Sequence, residues 1–244
     1  MQNFLNTEAS VITNHVNDLL KQLHAQHSPT NRDHPALADL AELGAGLQQF
    51  CQILARLEDP FHRDSLDKDE LTSFADYGFQ LFQKLLQREE QTEVLRMQTR
   101  ALMLASLHCL AKSEAILPQV DEFVNQLALF ANQTQDNPTL MLLSQYLPDF
   151  IAAMPEMVKA DMENMNPGRA WRVIHLNYAI VATRSHDAEQ MDIAFQYLVD
   201  NLPHEAQGFF EEGMKQMDIV NYPDSVRKVM ARYHALWHTD KVLH

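Results

Sequence analysis

Residues 92–112, TEVLRMQTRALMLASLHCLAK, contain the most apolar helical pattern in the chain. The stretch contains no Gly and no Pro, and Leu, Ala and Met, which are strong helix formers, fill its second half. Its apolar residues cover much of the helix circumference, a pattern typical of a helix surrounded by other helices. Ala101, Ala105 and Cys109 follow at intervals of four and form a stripe of small side chains on one helix face, which a neighbouring helix can approach closely. The stretch therefore predicts a central helix.

The rest of the chain shows the same helical period, and no stretch alternates convincingly with period two. Six glycines leave little turn material for β-hairpins. Further helices are predicted at about 7–27, 35–57, 68–86, 169–184, 188–201, 203–217 and 223–238, with others starting at Pro118 and Pro138. The prediction is an all-α protein of roughly ten helices in antiparallel hairpins, forming an irregular bundle or a short TPR/HEAT-like array.

Prolines and one glycine mark the expected interruptions. Pro148 and Pro155 are expected to divide the region 139–166 into short helical pieces. Asn166-Pro167-Gly168 is the clearest stop in the chain. We therefore predict an N-terminal helical region, 1–165, and a C-terminal four-helix unit, 166–244, with one continuous domain, 1–244, as the alternative.

One segment resembles a single tetratricopeptide repeat. Trp171, Ile174, Tyr178 and Ala194 lie at the register of the W-x2-L-G-x2-Y pattern and its later alanine. His175 stands where the repeat has glycine, and Asp187 where it has an alanine. The resemblance covers less than one fifth of the chain, and it implies a helical hairpin there.

Net charge, the N-terminal residues and the cysteines indicate which partners and which cellular compartment to expect. The chain has 19 basic and 33 acidic residues, a formal net charge of −14, which disfavours nucleic acid and anionic membrane surfaces as partners. No basic and apolar leader opens the sequence, and no window approaches the roughly 20 apolar residues of a membrane span. Cys51 and Cys109 stand in helical patterns, as expected of reduced thiols in a cytoplasmic protein.

Two groups of histidines raise the question of a metal. His234 and His238 lie one helical turn apart, but no carboxylate follows at helical spacing, so we predict no metal and no cofactor there.

His186-Asp187, with His175 upstream and Asp192 or Asp200 downstream, resembles the ligand set of HD-type metal phosphohydrolases. Asp187 also precedes a helix as an N-cap would, with Gln190 placed to complete a capping box.

Two stretches are candidates for binding. Trp171, His175 and Tyr178 share one helix face, which is a candidate for lining a small pocket; the alternative is a core face on which His175 makes one hydrogen bond. The region 113–158 has no Lys or Arg and is rich in apolar residues. We predict that residues 139–158 within it contribute to an adaptable, acidic partner-binding groove; the alternative is that this region is the buried middle of the molecule. The residues assigned to that groove are Met141, Leu143, Tyr146, Phe150, Met154 and Met157.

These patterns favour a non-catalytic interaction or adaptor protein over an enzyme. The expected partner is a protein or peptide, with a basic amphipathic segment fitting the acidic groove best. No phosphate loop, G-x-S-x-G or dinucleotide motif occurs. The alternatives are an HD-type metal-dependent phosphohydrolase and a helical small-molecule-binding protein.

Overall fold

A computed structural model of the chain describes residues 4–26, 35–89, 91–162 and 165–239. These ranges contain 12 helices and no strand, which confirms the all-α prediction. In chain order the helices are α1 (Ala9–Gln26), α2 (Pro35–Arg56), α3 (Pro60–Arg63), α4 (Lys68–Leu86), α5 (Glu93–Lys112), α6 (Val120–Gln133), α7 (Asn137–Ala152), α8 (Glu156–Lys159), α9 (Ala170–Ser185), α10 (Ala188–Asn201), α11 (Pro203–Ile219) and α12 (Asp224–Thr239). Helices α3 and α8 are single turns, and the other ten match the expected number.

The chain divides into two compact units. The first comprises Met1–Phe130 and Ala152–Pro155, and the second comprises Ala131–Ile151 and Glu156–His244. Asn166-Pro167-Gly168 lies inside the second unit, between α8 and α9. The boundary at that tripeptide stays a prediction that proteolysis can test.

Helix α5 is the central helix of the first unit, as its sequence predicts. Residues 101–108 are all buried, so the helix is surrounded over two full turns. It packs against α1 and α4, and α2 packs against the same two helices. Thr92 caps it by accepting a hydrogen bond from the Leu95 N–H at 3.3 Å.

Helices α2 and α4 approach closely at a glycine. A Cβ atom at Gly78 would lie only 2.2 Å from Cε2 of Phe50. The Phe50 ring therefore occupies the place of a side chain on α4, where it stacks on Phe74 with ring centroids 4.7 Å apart. Phe82 meets the same ring edge-on at 6.2 Å.

The second unit is built on α10, which packs against α9, α11 and α12. Four aromatic rings cluster there, with neighbouring centroids 5.1–5.7 Å apart: Phe195, Phe210 and Tyr233, which are buried, and Phe209, which is partly exposed. Asp187 caps α10 by accepting hydrogen bonds from the N–H groups of Glu189 and Gln190. The Gln190 side chain accepts from Ser144 Oγ instead of completing a capping box.

The expected interruption at Pro148 is wrong, because α7 continues through this residue to Ala152. Proline removes one helical hydrogen bond and crowds the preceding turn. Burial of Leu143, Leu147, Phe150 and Ile151 on the same helix offsets that cost. A second interruption does occur near Pro155, which precedes the short helix α8.

No helix within the described ranges combines the length and the apolar character that a membrane crossing requires.

Candidate functional site

The second unit carries an apolar cavity of about 340 Å³ on its surface, which we call the C-terminal groove. Helices α9, α11 and α12 and the loop before α12 supply its walls. The lining residues are Ile180, Thr183, Arg184, Phe209, Glu212, Gly213, Gln216, Met217, Tyr222 and Met230.

Helical spacing explains how the walls arise. The five lining residues of α11 lie at positions 209, 212, 213, 216 and 217, and those of α9 at 180, 183 and 184. Intervals of three and four place side chains on one helix face, so each helix presents a single stripe to the groove. The groove therefore lies between two facing stripes.

A glycine allows two of the helices that form the groove to approach closely. A Cβ atom at Gly213 would lie 2.5 Å from Sδ of Met230, so the bare backbone lets α12 approach α11 closely. Met230 and Met217 are buried and form the floor. Ile180 is 40% exposed and stands at the edge, open to solvent.

The loop at one end of the groove is held by hydrogen bonds. The Arg227 guanidinium donates to the carbonyl oxygens of Tyr222 and Val220, at 3.0 and 3.3 Å. The Tyr222 ring meets the His186 ring edge-on, with centroids 5.4 Å apart. These contacts fix the Tyr222 ring in the groove wall, so this end is formed before any ligand binds.

Two charged side chains line the groove. The Glu212 side chain accepts hydrogen bonds from Gln216 and Lys215, which lower its pKa and keep it ionised at neutral pH. The Arg184 guanidinium donates hydrogen bonds to the carbonyl oxygens of Ala131 and Thr134. The groove thus presents an apolar floor and an ionised carboxylate at its rim.

The structure places most of the predicted partner-binding residues in the core. Leu143, Tyr146, Phe150 and Met154 are buried and line no open surface. Their apolar spacing is the same whether a helix face is covered by a neighbour or left open, so the sequence did not separate the two cases. Met141 and Met157 are exposed, and a partner contact at these two residues stays a prediction.

The predicted pocket face is also internal. Trp171, His175 and Tyr178 are buried, and none of them lines the C-terminal groove. His175 donates from Nδ1 to the Trp171 carbonyl oxygen at 2.8 Å, and the two rings lie 4.3 Å apart. In the described part of the chain, His175 Nε2 and the Tyr178 hydroxyl have no hydrogen-bond partner. Burial lowers the pKa of His175 and raises that of Tyr178.

The HD-type ligand set is not assembled. Across the described residues, no three His, Cys, Asp or Glu side chains are grouped to hold a metal ion. Asp187 caps α10, and Asp192 accepts hydrogen bonds from Arg232 and Tyr233. His186 ends α9 in the left-handed conformation, with φ 63°. His234 is half-buried, and the His238 side chain lies outside the described residues.

Neither cysteine has the environment of a nucleophile. Burial raises the pKa of Cys51 to about 11 and that of Cys109 to about 12. A thiol that stays protonated at neutral pH is a poor nucleophile. Both residues are free cysteines, as their separate positions in the sequence predict.

Sequence reasoning missed the C-terminal groove. The stripe on α11 was visible as Phe209, Gly213 and Met217 at intervals of four, but such a stripe ordinarily packs against a neighbouring helix. Comparison with known proteins adds no further guide: no family model matches the chain, and no curated protein or solved structure matches it either.

Proposed function

We propose that the protein is a non-catalytic interaction module that binds a basic amphipathic helical segment of a partner protein in the C-terminal groove. The observation that supports this proposal is the groove itself, a preformed apolar concavity between α9 and α11. Grooves between helices are a common way to bind the apolar face of an amphipathic helix.

The apolar contacts supply the affinity in this proposal. Met217 and Met230 form a floor of flexible, polarisable side chains that adapt to different apolar anchors. Phe209 and Tyr222 add rigid aromatic walls, which lose little conformational entropy on binding. A partner helix with apolar residues at intervals of three and four would place its anchors along this floor.

Charge supplies the preference for a basic partner. The chain carries a formal charge of −14, and Glu212 stays ionised at the rim. The lining cation, Arg184, donates hydrogen bonds to the carbonyl oxygens of Ala131 and Thr134, so the negative charge of the whole chain and of Glu212 carries this preference. Basic residues on the polar face of the partner helix would be attracted by this field, and the attraction should weaken as salt rises. The exposed Met141 and Met157 are candidates for secondary contacts on the same unit.

A matched pair of isoleucines tests the proposal. Ile180 lines the groove and Ile193 does not, while both side chains are 40% exposed. Random helical peptides would be selected against the full chain by phage display, and binding of enriched peptides would be measured by fluorescence polarisation. We expect Ile180→Arg to weaken binding at least about tenfold, because a bulky cation then stands in the groove and repels a basic helix.

The control variant Ile193→Arg has the same added charge and should bind the peptides as the unchanged chain does. Circular dichroism checks that both variants fold. Equal binding by the two variants would place the peptide site elsewhere. Failure to enrich any basic amphipathic peptide would contradict the proposed function itself.

A further inference from the structure

Three methionines of the second unit are almost fully exposed. The exposed fractions of Met157, Met162 and Met165 are 88%, 86% and 92%. Five other methionines are at most 2% exposed: Met103, Met154, Met191, Met217 and Met230. Met141 lies between these groups at 38%. The described methionines thus include one freely accessible set and one set sealed in the core.

Arg169 binds the residues next to two of the exposed methionines, Asp161 before Met162 and Asn166 after Met165. Arg169, itself buried, binds both carboxylate oxygens of Asp161, with Nη2 3.1 Å from Oδ2. The same guanidinium donates to the Asn166 carbonyl oxygen at 3.0 Å. Charge-assisted hydrogen bonds of this kind are stronger than neutral ones, so Asp161 and Asn166 are each tied to the same guanidinium.

We propose that Met157, Met162 and Met165 form a peroxide-reactive modification site, where oxidation to methionine sulfoxide is reversible and leaves the fold intact. The thioether sulfur attacks one oxygen of a hydroperoxide, a sulfur–oxygen bond forms and the oxygen–oxygen bond breaks. Hydrogen peroxide is thereby reduced to water, and each sulfur is oxidised by two electrons. Access of the peroxide to the sulfur sets the relative rates.

The exposure of these side chains explains why the fold should survive. A sulfoxide is polar, so it disrupts a core in which methionine is packed. The three exposed side chains bury little surface, and their oxidation costs little packing energy. Oxidation would convert three apolar surface groups into polar ones while α9 to α12 stay folded. None of the three lines the C-terminal groove, and the oxidation argument uses only their exposure, not the candidate partner contact at Met157.

Timed treatment of the full chain with dilute hydrogen peroxide tests the proposal. Peptide mass spectrometry would follow each methionine separately. We expect Met157, Met162 and Met165 to be oxidised at least about tenfold faster than the five buried methionines, because buried sulfurs react only when the structure opens. Met141 should react at an intermediate rate. Comparable rates for exposed and buried methionines would overturn the proposal.

Three further tests concern the fold, the reversibility of the oxidation and the residues responsible for it. The chain carrying three sulfoxides should melt at the same temperature as the untreated chain, and a fall in melting temperature would contradict an intact fold. Methionine sulfoxide reductases A and B, supplied with a dithiol reductant, should restore the thioethers: the sulfoxide oxygen leaves as water and the dithiol is oxidised to a disulfide. Persistence of the sulfoxides would contradict reversibility. The variant with Met157→Leu, Met162→Leu and Met165→Leu should lose the fast phase of oxidation. A fast phase that persisted would assign the reactivity to other residues.

Discussion

The imidazole of His175 shows how burial acts on one residue. Desolvation lowers its pKa, while the hydrogen bond to the Trp171 carbonyl oxygen and the charge of Asp161 raise it to a smaller extent. In the unfolded chain its pKa is about 6.5, so the unfolded state takes up the proton first as pH falls. The contribution of neutral, buried His175 to the free energy of unfolding is therefore present above about pH 6.5. It is lost as pH falls towards the lowered pKa of the folded state.

The variant His175→Phe should remove this part of the pH dependence, because phenylalanine keeps a ring against Trp171 but does not titrate. Urea unfolding at about pH 7.5 and about pH 5 measures the difference. His204→Gln, at an exposed histidine on α11, is the control, because it removes a histidine and leaves His175 and its neighbours in place. If His175→Phe loses as much stability in acid as the unchanged chain, other groups carry the effect.

At the scale of helices, we expect substitution by alanine to change the free energy of unfolding in opposite directions at Gly78 and at Gly208. Gly78→Ala would force a Cβ into the Phe50 ring between α2 and α4, which should lower the free energy of unfolding by about 1–3 kcal/mol. Gly208 lies in the interior of α11, and a Cβ there would meet no atom within 4 Å. Gly208→Ala should therefore raise the free energy of unfolding by about 0.5–1 kcal/mol, because alanine favours the helix.

Urea unfolding followed by circular dichroism measures both changes. The two variants differ from the unchanged chain by the same methyl group, so opposite signs would reflect packing and not composition. A stabilised Gly78→Ala variant would show that the Phe50 ring moves aside at no cost.

At the scale of the whole molecule, limited proteolysis tests how the chain is organised. Residues 165–168 are exposed, and Pro167 and Gly168 interrupt the helical pattern between α8 and α9. We predict that a protease of broad specificity cuts near Asn166-Pro167-Gly168 first, leaving fragments of about 1–165 and 166–244. The same digestion in denaturant, with cuts throughout, is the control. First cuts near Arg63, or a resistant native chain, would favour one continuous core.

The fold class and most helix bounds could be predicted from the amino-acid sequence. The predicted helix at 68–86 coincides with α4, and the predicted starts at 188 and 203 coincide with those of α10 and α11. Asp187 was expected to cap a helix and does so. Such features are local: periodicity, caps and first-turn prolines act within one or two turns of the chain. Local chemistry is therefore sufficient to place them.

Which apolar helix faces are covered could not be predicted, because it depends on contacts between distant parts of the chain. Phe150 and Leu143 were assigned to an open groove and are buried, whereas Ile180 was assigned no role and edges the C-terminal groove. Pro148 was expected to break a helix that packing keeps continuous. The physical reason is the same in each case. Exposure and the net cost of a proline depend on what packs against a helix, and those neighbours are distant in sequence.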